Sequence, residues 1–183
     1  MIISEIRAAL EHKLYMVALS AALTLPDVCG KSEYPDVKST RKRYEKWVEE
    51  YIEKRNWPDY EHSCPDTINA HIIYSLRCSM LHQNTPNTDA VDYFELVKVD
   101  PDRANVFKYF SESEILSENG IEKRIARKIS INIAELCYLI CDSVEEYYRN
   151  NKEKFDFINY NFTDVDYHTA KIFGISRTQQ EEK

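Results

Sequence analysis

The sequence predicts a mostly α-helical protein, a bundle of four or five helices with an inserted two-stranded β-hairpin. Three observations favour this class. Apolar residues recur every three or four positions over long stretches, as they do on the buried face of a helix. Only 3 of the 183 residues are glycine, which disfavours turn-rich β architecture and glycine-cradled phosphate loops. One short segment alternates apolar and polar residues, which is typical of a strand.

The first two helices are predicted from the spacing of their apolar residues. Helix one extends from about Ser4 to Leu25 and is expected to end at Pro26. A loop over residues 29–35 leads to the second helix, from about Val37 to Lys54. The apolar side of that helix carries tyrosine and tryptophan, which are large enough to anchor a core.

A third helix is predicted from its start signals and its apolar face. Ser63 and Asp66 form a capping pair, and Pro65 suits a first helical turn. The apolar residues that follow recur at helical spacing, and the helix is expected to end near His82.

The period of the sequence then changes from helical to extended. Residues 91–99 alternate like a strand, residues 100–102 predict a turn, and residues 106–110 predict a return strand. The hairpin therefore covers about residues 90–110. Because two strands alone are marginally stable, we expect the hairpin to pack against the helices or a partner.

The fourth helix is predicted to be the longest. A stripe of apolar residues at three- and four-residue steps covers some seven turns: Ile121, Ile125, Ile129, Ile133, Leu136, Ile140, Val144 and Tyr147. The length fits a single domain over residues 1–183, with a core over about 4–150 and a C-terminal tail over about 151–183.

The charge is acidic overall but uneven. The formal net charge is −7 and the sequence pI is near 5.3, which disfavours a broad nucleic-acid-coating role. Two basic runs can still guide a polyanion to a local site, although such runs are more often solvated helix faces. They are Lys38, Arg41, Lys42, Arg43 and Lys46, and Lys123, Arg124, Arg127 and Lys128.

The cysteines and the apolar stretches predict a location. The 5 cysteines are an odd number and fit no secreted disulfide framework. No charged-then-apolar signal segment opens the chain, and its longest apolar stretches are too short to span a bilayer. We therefore expect a cytoplasmic protein without a membrane partner.

One pair of residues offers a coherent chemistry. Arg77 and His82, with four residues between them, lie near the predicted end of the third helix. Imidazole transfers protons near neutral pH, and guanidinium binds phosphate through two parallel hydrogen bonds. Together they can cleave a phosphodiester without a metal. In RNA the 2′-hydroxyl is the nucleophile, so the products are a 2′,3′-cyclic phosphate and a 5′-hydroxyl.

The spacing of this pair is a weak signal by itself. Arg7 and His12 repeat it in the first helix, where we interpret them as part of a solvated face. On an ideal α-helix, five steps rotate about 140° beyond a full turn, so Arg77 and His82 would diverge. Either the helix end unwinds at His82, or the site joins residues from two protomers across a two-fold axis.

The segment Ile73-Tyr-Ser-Leu-Arg-Cys-Ser-Met-Leu-His-Gln83, followed by a polar loop, resembles the HEPN superfamily. The remaining layout agrees more loosely, from about residue 4 to 150. The resemblance implies a HEPN-like helical bundle that cleaves single-stranded or loop RNA as a metal-independent endoribonuclease and a homodimer, without a cofactor. It also implies a toxin or phage-defence setting, which allows an antitoxin or regulatory protein as a partner.

By this resemblance, Arg77 and His82 form the active pair. Further candidates for contacts with RNA are their neighbours Tyr74, Cys78, Ser79, Gln83 and Asn84. The family often places Asn, Asp or His directly after the arginine, where this chain has Cys78. Cysteine forms weak hydrogen bonds and more often acts as a small buried apolar residue, so this departure is an argument against high activity.

Other interpretations of the sequence stay open. His62, Cys64 and His71 lack the spacing of a zinc site, so no metal is expected. Cys78 and the acidic balance favour a HEPN-like module that binds nucleotide or protein and cleaves nothing. A third alternative is a structural dimer that assembles through the isoleucine stripe of the fourth helix.

Overall fold

The computed structural model describes residues 2–56, 68–83, 91–100, 109–118 and 121–155, and this part of the chain is mostly helical, as predicted. The first helices are α1 (Ile2–Glu11), α2 (Tyr15–Ala22), α3 (Leu25–Glu33) and α4 (Thr40–Val48), which continues as a π-helical turn (Glu49–Glu53) and a short α-helical end (Lys54–Asn56). Next come α5 (Ala70–Cys78), with a further π-helical turn (Ser79–Gln83), and the strands β1 (Tyr93–Val97), β2 (Tyr109–Glu118) and β3 (Ile121–Asn132). The last elements are α6 (Ile133–Asn150) and a 3-10 turn (Lys152–Phe155).

The N-terminal region is divided into more helices than the sequence predicts. Lys13 has a φ of 59°, a left-handed conformation that ends the first helix well before the predicted position. Pro26 lies in the first turn of α3, where a missing N–H and a fixed φ are tolerated, so it opens a helix instead of ending one. The loop predicted over residues 29–35 was therefore wrong as far as Glu33.

The sheet differs from the predicted hairpin. Its strand order is β1-β3-β2, with β2 antiparallel and β1 parallel to β3. The strand predicted over residues 91–99 is confirmed over Tyr93–Val97. However, Tyr109 and Phe110, from its predicted return strand, pair with Ile131 and Ser130 of β3. The hairpin is thus formed by β2 and β3, and the pairing predicted within residues 90–110 was wrong.

The predicted fourth helix was right only in its second half. Ile121–Asn132 is a strand, and the helix begins at Ile133. Isoleucine at every fourth position fits a helix, but it also fits one face of a strand, whose side chains alternate. β-Branched isoleucine favours the strand. Asn132 then caps α6, because its side-chain oxygen accepts a hydrogen bond from the Glu135 N–H at 3.3 Å.

The apolar stripe of α6 lies in the interior of the chain. Its buried members are Ile133, Leu136, Ile140, Val144 and Tyr147. Together with residues from α1 to α5 and β3 they form the hydrophobic core. From Ile129 to Tyr147 the stripe is therefore covered by its own chain, so this part of it is not available to join two copies. Among the described residues, no helix combines the length and the apolar character needed to cross a bilayer.

Helix α5 presents the candidate site on one face. Its first turn is capped by Asn69, whose side-chain oxygen accepts a hydrogen bond from the Ile72 N–H at 3.0 Å. The predicted capping residues Ser63, Pro65 and Asp66 lie outside the described residues. Most of α5 faces the core, through Ala70, Ile72, Ile73, Ser75, Leu76 and Cys78. A partly exposed stripe of every third residue remains: His71, Tyr74 and Arg77.

Candidate functional site

Arg77 is held against the first turn of α3 by Asp27. The same carboxylate oxygen, Oδ2, accepts hydrogen bonds from Nε at 3.1 Å and from Nη2 at 2.9 Å. Only 15% of the Arg77 side chain and 22% of the Asp27 side chain are exposed. Burial lowers the pKa of Arg77, but the charge of Asp27 and its hydrogen bonds outweigh burial and raise that pKa above its ordinary value. The guanidinium is therefore charged and fixed in direction.

The sequence gives no signal that Asp27 belongs to this site. An acidic residue in the first turn of a helix is favoured by the helix dipole, so Asp27 needs no other explanation in the sequence. Its partner follows 50 residues later. α3 and α5 both pack against α4, and this tertiary arrangement brings the two side chains together.

Tyr74 lies between two arginines. Its ring centroid is 5.9 Å from the guanidinium carbon of Arg77 and 5.6 Å from that of Arg41, in the first turn of α4. The ring of Tyr44, which is fully buried, meets Tyr74 edge-on at 5.2 Å. Burial, and then a hydrogen bond with the Cys78 thiol, raise the pKa of Tyr74. Tyr74 is thus a neutral aromatic ring that contacts a buried ring on one side and two guanidinium groups on the other.

The structure brings some of the predicted site residues together. Tyr74, Cys78 and Arg77 are in contact, and Ser79 is half-buried at the start of the π-helical turn. Cys78 is only 7% exposed, as expected for a small apolar residue. The side chains of three other predicted residues lie outside those that the structure describes: His82, Gln83 and Asn84.

The end of the third predicted helix does not unwind at His82. It widens into the π-helical turn Ser79–Gln83, in which hydrogen bonds join residues five apart. Each residue of a π-helix rotates the chain by a smaller angle than a residue of an α-helix, because more residues complete one turn. Positions 77 and 82 therefore diverge less than the angle of about 140° that an ideal α-helix imposes. π-Helical turns inside α-helices occur frequently at functional sites.

A second polar cluster adjoins this face. The Nδ1 atom of His71 lies 2.7 Å from Nη2 of Arg41 and 3.1 Å from Oε1 of Glu45. Arg41 also donates to Glu45 through Nε at 2.8 Å. Sequence reasoning considered His71 only as a zinc ligand. The signal that it missed is the spacing of three that puts His71, Tyr74 and Arg77 on one helix face.

A cavity of about 560 Å³ opens beside this cluster. Its lining includes His71, Lys54 and three glutamates, Glu45, Glu49 and Glu53. Glu53 is 2% exposed and accepts a hydrogen bond from the Ala70 N–H, where α5 begins. With three glutamates and one lysine the lining is negative on balance, which disfavours phosphate groups in the cavity.

The described residues contain no cluster of side chains that is suited to a metal ion. Within residues 2–56, 68–83, 91–100, 109–118 and 121–155, no group of three His, Cys, Asp or Glu side chains is placed to hold a metal ion. His62 and Cys64, which were considered with His71 as zinc ligands from the sequence, lie outside these ranges.

The other pair with the same spacing has different surroundings. Arg7 donates to Asp142 at 2.9 Å and to Glu145 at 2.8 Å, which connects α1 to α6. These hydrogen bonds raise the pKa of Arg7, the bond with Glu145 most of all, against a smaller effect of burial. His12 is exposed just after the end of α1. Arg7 and His12 therefore form a matched control for Arg77 and His82.

Comparisons of the chain with models of known families, with curated proteins and with solved structures give no match. What the described side chains offer is a guanidinium with a fixed direction, beside an aromatic ring and a second guanidinium.

Proposed function

We propose that this protein is a HEPN-like, metal-independent endoribonuclease that cleaves single-stranded or loop RNA with Arg77 and His82. The observation that carries the proposal is the fixed orientation of Arg77, which Asp27 holds at the start of the π-helical turn that contains position 82. A guanidinium that is already oriented and partly shielded from water stabilises developing phosphate charge without reorganising.

The chemistry follows from the two side chains and from RNA. One imidazole takes the proton from the 2′-hydroxyl, whose oxygen forms a bond to the adjacent phosphorus while the bond from phosphorus to the 5′-oxygen breaks. A proton from an imidazolium neutralises the leaving 5′-oxygen. Arg77 binds the phosphate oxygens as negative charge develops on them. DNA has no 2′-hydroxyl and is not cleaved.

A homodimer supplies both proton-transfer groups. A two-fold axis beside α5 places two copies of the Arg77–His82 pair in one cleft, so one His82 acts as base and the other as acid. Single strands and loops are the substrate because the 2′-oxygen must lie in line with the leaving oxygen, which a duplex resists.

The proposed setting is the cytoplasm, where a toxin or phage-defence effector meets its RNA. Four of the cysteines are buried and carry free thiols, as is usual for proteins of a reducing compartment: Cys29, Cys78, Cys137 and Cys141. An antitoxin or regulatory protein that covers the cleft would be the partner in such a system.

The decisive experiment is cleavage of labelled RNA in EDTA by the wild type, His82→Ala and the control His12→Ala. We expect the wild type and His12→Ala to cleave equally. His82→Ala should lose about 10²- to 10⁴-fold in rate, because it lacks the proton-transfer group. An inert wild type, or an active His82→Ala, contradicts the proposal.

A non-catalytic HEPN-like module that binds nucleotide or protein is the second candidate. It is favoured by Cys78, which is buried where a polar neighbour of the arginine would assist chemistry. In the same assay nucleotide binding predicts that the wild type retains labelled RNA on a filter and leaves it intact.

A further inference from the structure

The contacts around Tyr74 form a repeated arrangement. On one side the carboxylate of Asp27 holds Arg77, and on the other the carboxylate of Glu45 holds Arg41. Both guanidinium carbons lie within 5.9 Å of the centre of the Tyr74 ring. Both positive groups therefore lie beside the same ring, and each is hydrogen-bonded to its own acid.

Two like charges over one ring repel each other unless something compensates for them. Each has a carboxylate partner, and the electron-rich face of Tyr74 attracts both. The Arg41 side chain is 43% exposed and that of Arg77 is 15% exposed, so the arrangement opens toward solvent at its Arg41 end. A ligand with two adjacent negative groups matches this pair of charges.

We propose that Arg41 and Arg77 together bind two consecutive phosphates of a single RNA strand, with Tyr74 as the spacer between them. The proposal rests on the ribonuclease function proposed above and adds a substrate contact to it. Arg77 binds the scissile phosphate, and Arg41 binds a neighbouring phosphate. Arg41 is thus a binding residue that takes no part in the proton transfers.

The residues around Arg41 limit how far the bound RNA strand extends beyond it. Beyond Arg41 lie Glu45 and the cavity with its further glutamates, Glu49 and Glu53. Lys54 also lines the cavity, but the charge is negative on balance and disfavours a third phosphate. His71 lies at this boundary, with its Nδ1 between Arg41 and Glu45. The site therefore binds a short stretch of backbone, in keeping with a protein of acidic net charge that does not coat nucleic acid.

The test measures binding of a labelled 2′-O-methyl RNA oligonucleotide, which keeps the phosphates and lacks the nucleophile, over a series of salt concentrations. Each phosphate contact to a single strand contributes about 0.7 to the slope of log affinity against log salt. We expect Arg41→Ala to weaken binding about tenfold and to lower the slope by about 0.7, as removal of one phosphate contact requires. Arg41→Lys should keep most of the slope because it keeps the charge.

Lys42→Ala is the matched control, since it removes one exposed positive charge from the next position of α4. We expect its slope to equal that of the wild type. Equal losses in Arg41→Ala and Lys42→Ala would show attraction by net charge alone and would overturn the proposal, as would an unchanged slope in Arg41→Ala. Circular dichroism of each variant checks that the fold is kept.

Cleavage of unmodified RNA by the same proteins separates this proposal from the ribonuclease proposal. Cleavage by the wild type with an unchanged slope in Arg41→Ala rejects the Arg41 contact alone. Binding without cleavage, with the expected loss of slope, rejects catalysis and supports the contact. A wild type that neither cleaves nor binds rejects both.

Discussion

A single carboxylate oxygen of Asp27 accepts both the Nε and the Nη2 hydrogen bonds of Arg77, a residue 50 positions later in the chain. The other oxygen of Asp27 is buried and has no hydrogen-bond partner among the described residues. Among the described contacts, the placement of Asp27 by α3 therefore helps to set the direction of the Arg77 guanidinium. Changes at Asp27 should act on the chemistry of Arg77 without touching the substrate.

Asp27→Asn should impair cleavage by misplacing Arg77. The amide keeps the shape of the carboxylate but loses its charge, and its NH₂ group has no described acceptor at the buried position. We expect a loss of about 1–3 kcal/mol in the free energy of unfolding and a fall of about tenfold or more in kcat. Urea unfolding and steady-state cleavage measure the two. Because Asp27 acts through Arg77, we expect the substitution to change kcat more than KM, and we expect Asp27→Glu to recover cleavage. A stable Asp27→Asn protein with the kcat of the wild type would contradict this role.

Arg77→Lys should nearly abolish cleavage while the fold is kept. A lysine retains the positive charge near Asp27 but cannot present two parallel N–H groups to a phosphate. We expect kcat/KM to fall about 100-fold, which corresponds to about 2.7 kcal/mol of transition-state stabilisation. Arg7→Lys makes the same change in the other ion-paired arginine and should cleave normally. Unimpaired cleavage by Arg77→Lys would assign phosphate binding to another residue.

Gly30→Ala should destabilise the protein because α3 and α4 approach closely at this residue. A Cβ atom at Gly30 would lie 2.8 Å from the carbonyl oxygen and 3.0 Å from the carbonyl carbon of Arg43. The backbone cannot move aside without shifting α4, so we expect a loss of about 1–3 kcal/mol in the free energy of unfolding. Lys31→Ala, at an exposed position of the same helix, should change that free energy by less than about 0.5 kcal/mol. A Gly30→Ala protein as stable as the wild type would mean that the helices can separate at little cost.

Glu33 should make stability depend on pH in the acid range. Its Oε2 accepts hydrogen bonds from the Tyr147 hydroxyl at 2.7 Å and from Nζ of Lys154 at 2.6 Å. Burial acts to raise the pKa of Glu33, but the bonds from Lys154 and Tyr147 outweigh burial, and the pKa is lowered. A lowered folded-state pKa contributes stability above the unfolded value of about 4.3, and this contribution is lost as the pH falls through the folded value.

Unfolding at pH 7 and at pH 3 tests this expectation. The wild type should lose more stability between the two pH values than Glu33→Gln, which has no carboxylate at that position to titrate. Glu11→Gln, an exposed residue, should behave like the wild type. Equal losses in the wild type and in Glu33→Gln would show that the contacts of Glu33 contribute nothing.

The sequence predicts the helical class and most of the helices, because their buried faces have a helical period. It fails at Ile121–Asn132, where isoleucines four apart fit a helix face and a strand face equally well. It also fails at Lys13, whose left-handed backbone follows no glycine or proline signal. In both places the tertiary structure overrides the local pattern.

The candidate site was predictable only where its residues are close in sequence. Tyr74, Arg77 and Cys78 share one helix, so periodicity places them together. Asp27 and Arg41 come from other helices, and no local pattern links either to α5. Their contributions depend on how α3 and α4 pack, which a single sequence does not state.

The parallel pairing of β1 with β3 has a consequence for how the chain folds. Tyr93 pairs with Lys128, so β2 and the first part of β3 lie between the two partners in the sequence. Closing a long loop costs more entropy than closing a short one, and contacts between distant residues slow folding. The β2–β3 hairpin should therefore assemble early, and β1 should add to its edge late. During synthesis, β1 leaves the ribosome before the strand that it needs as a neighbour exists.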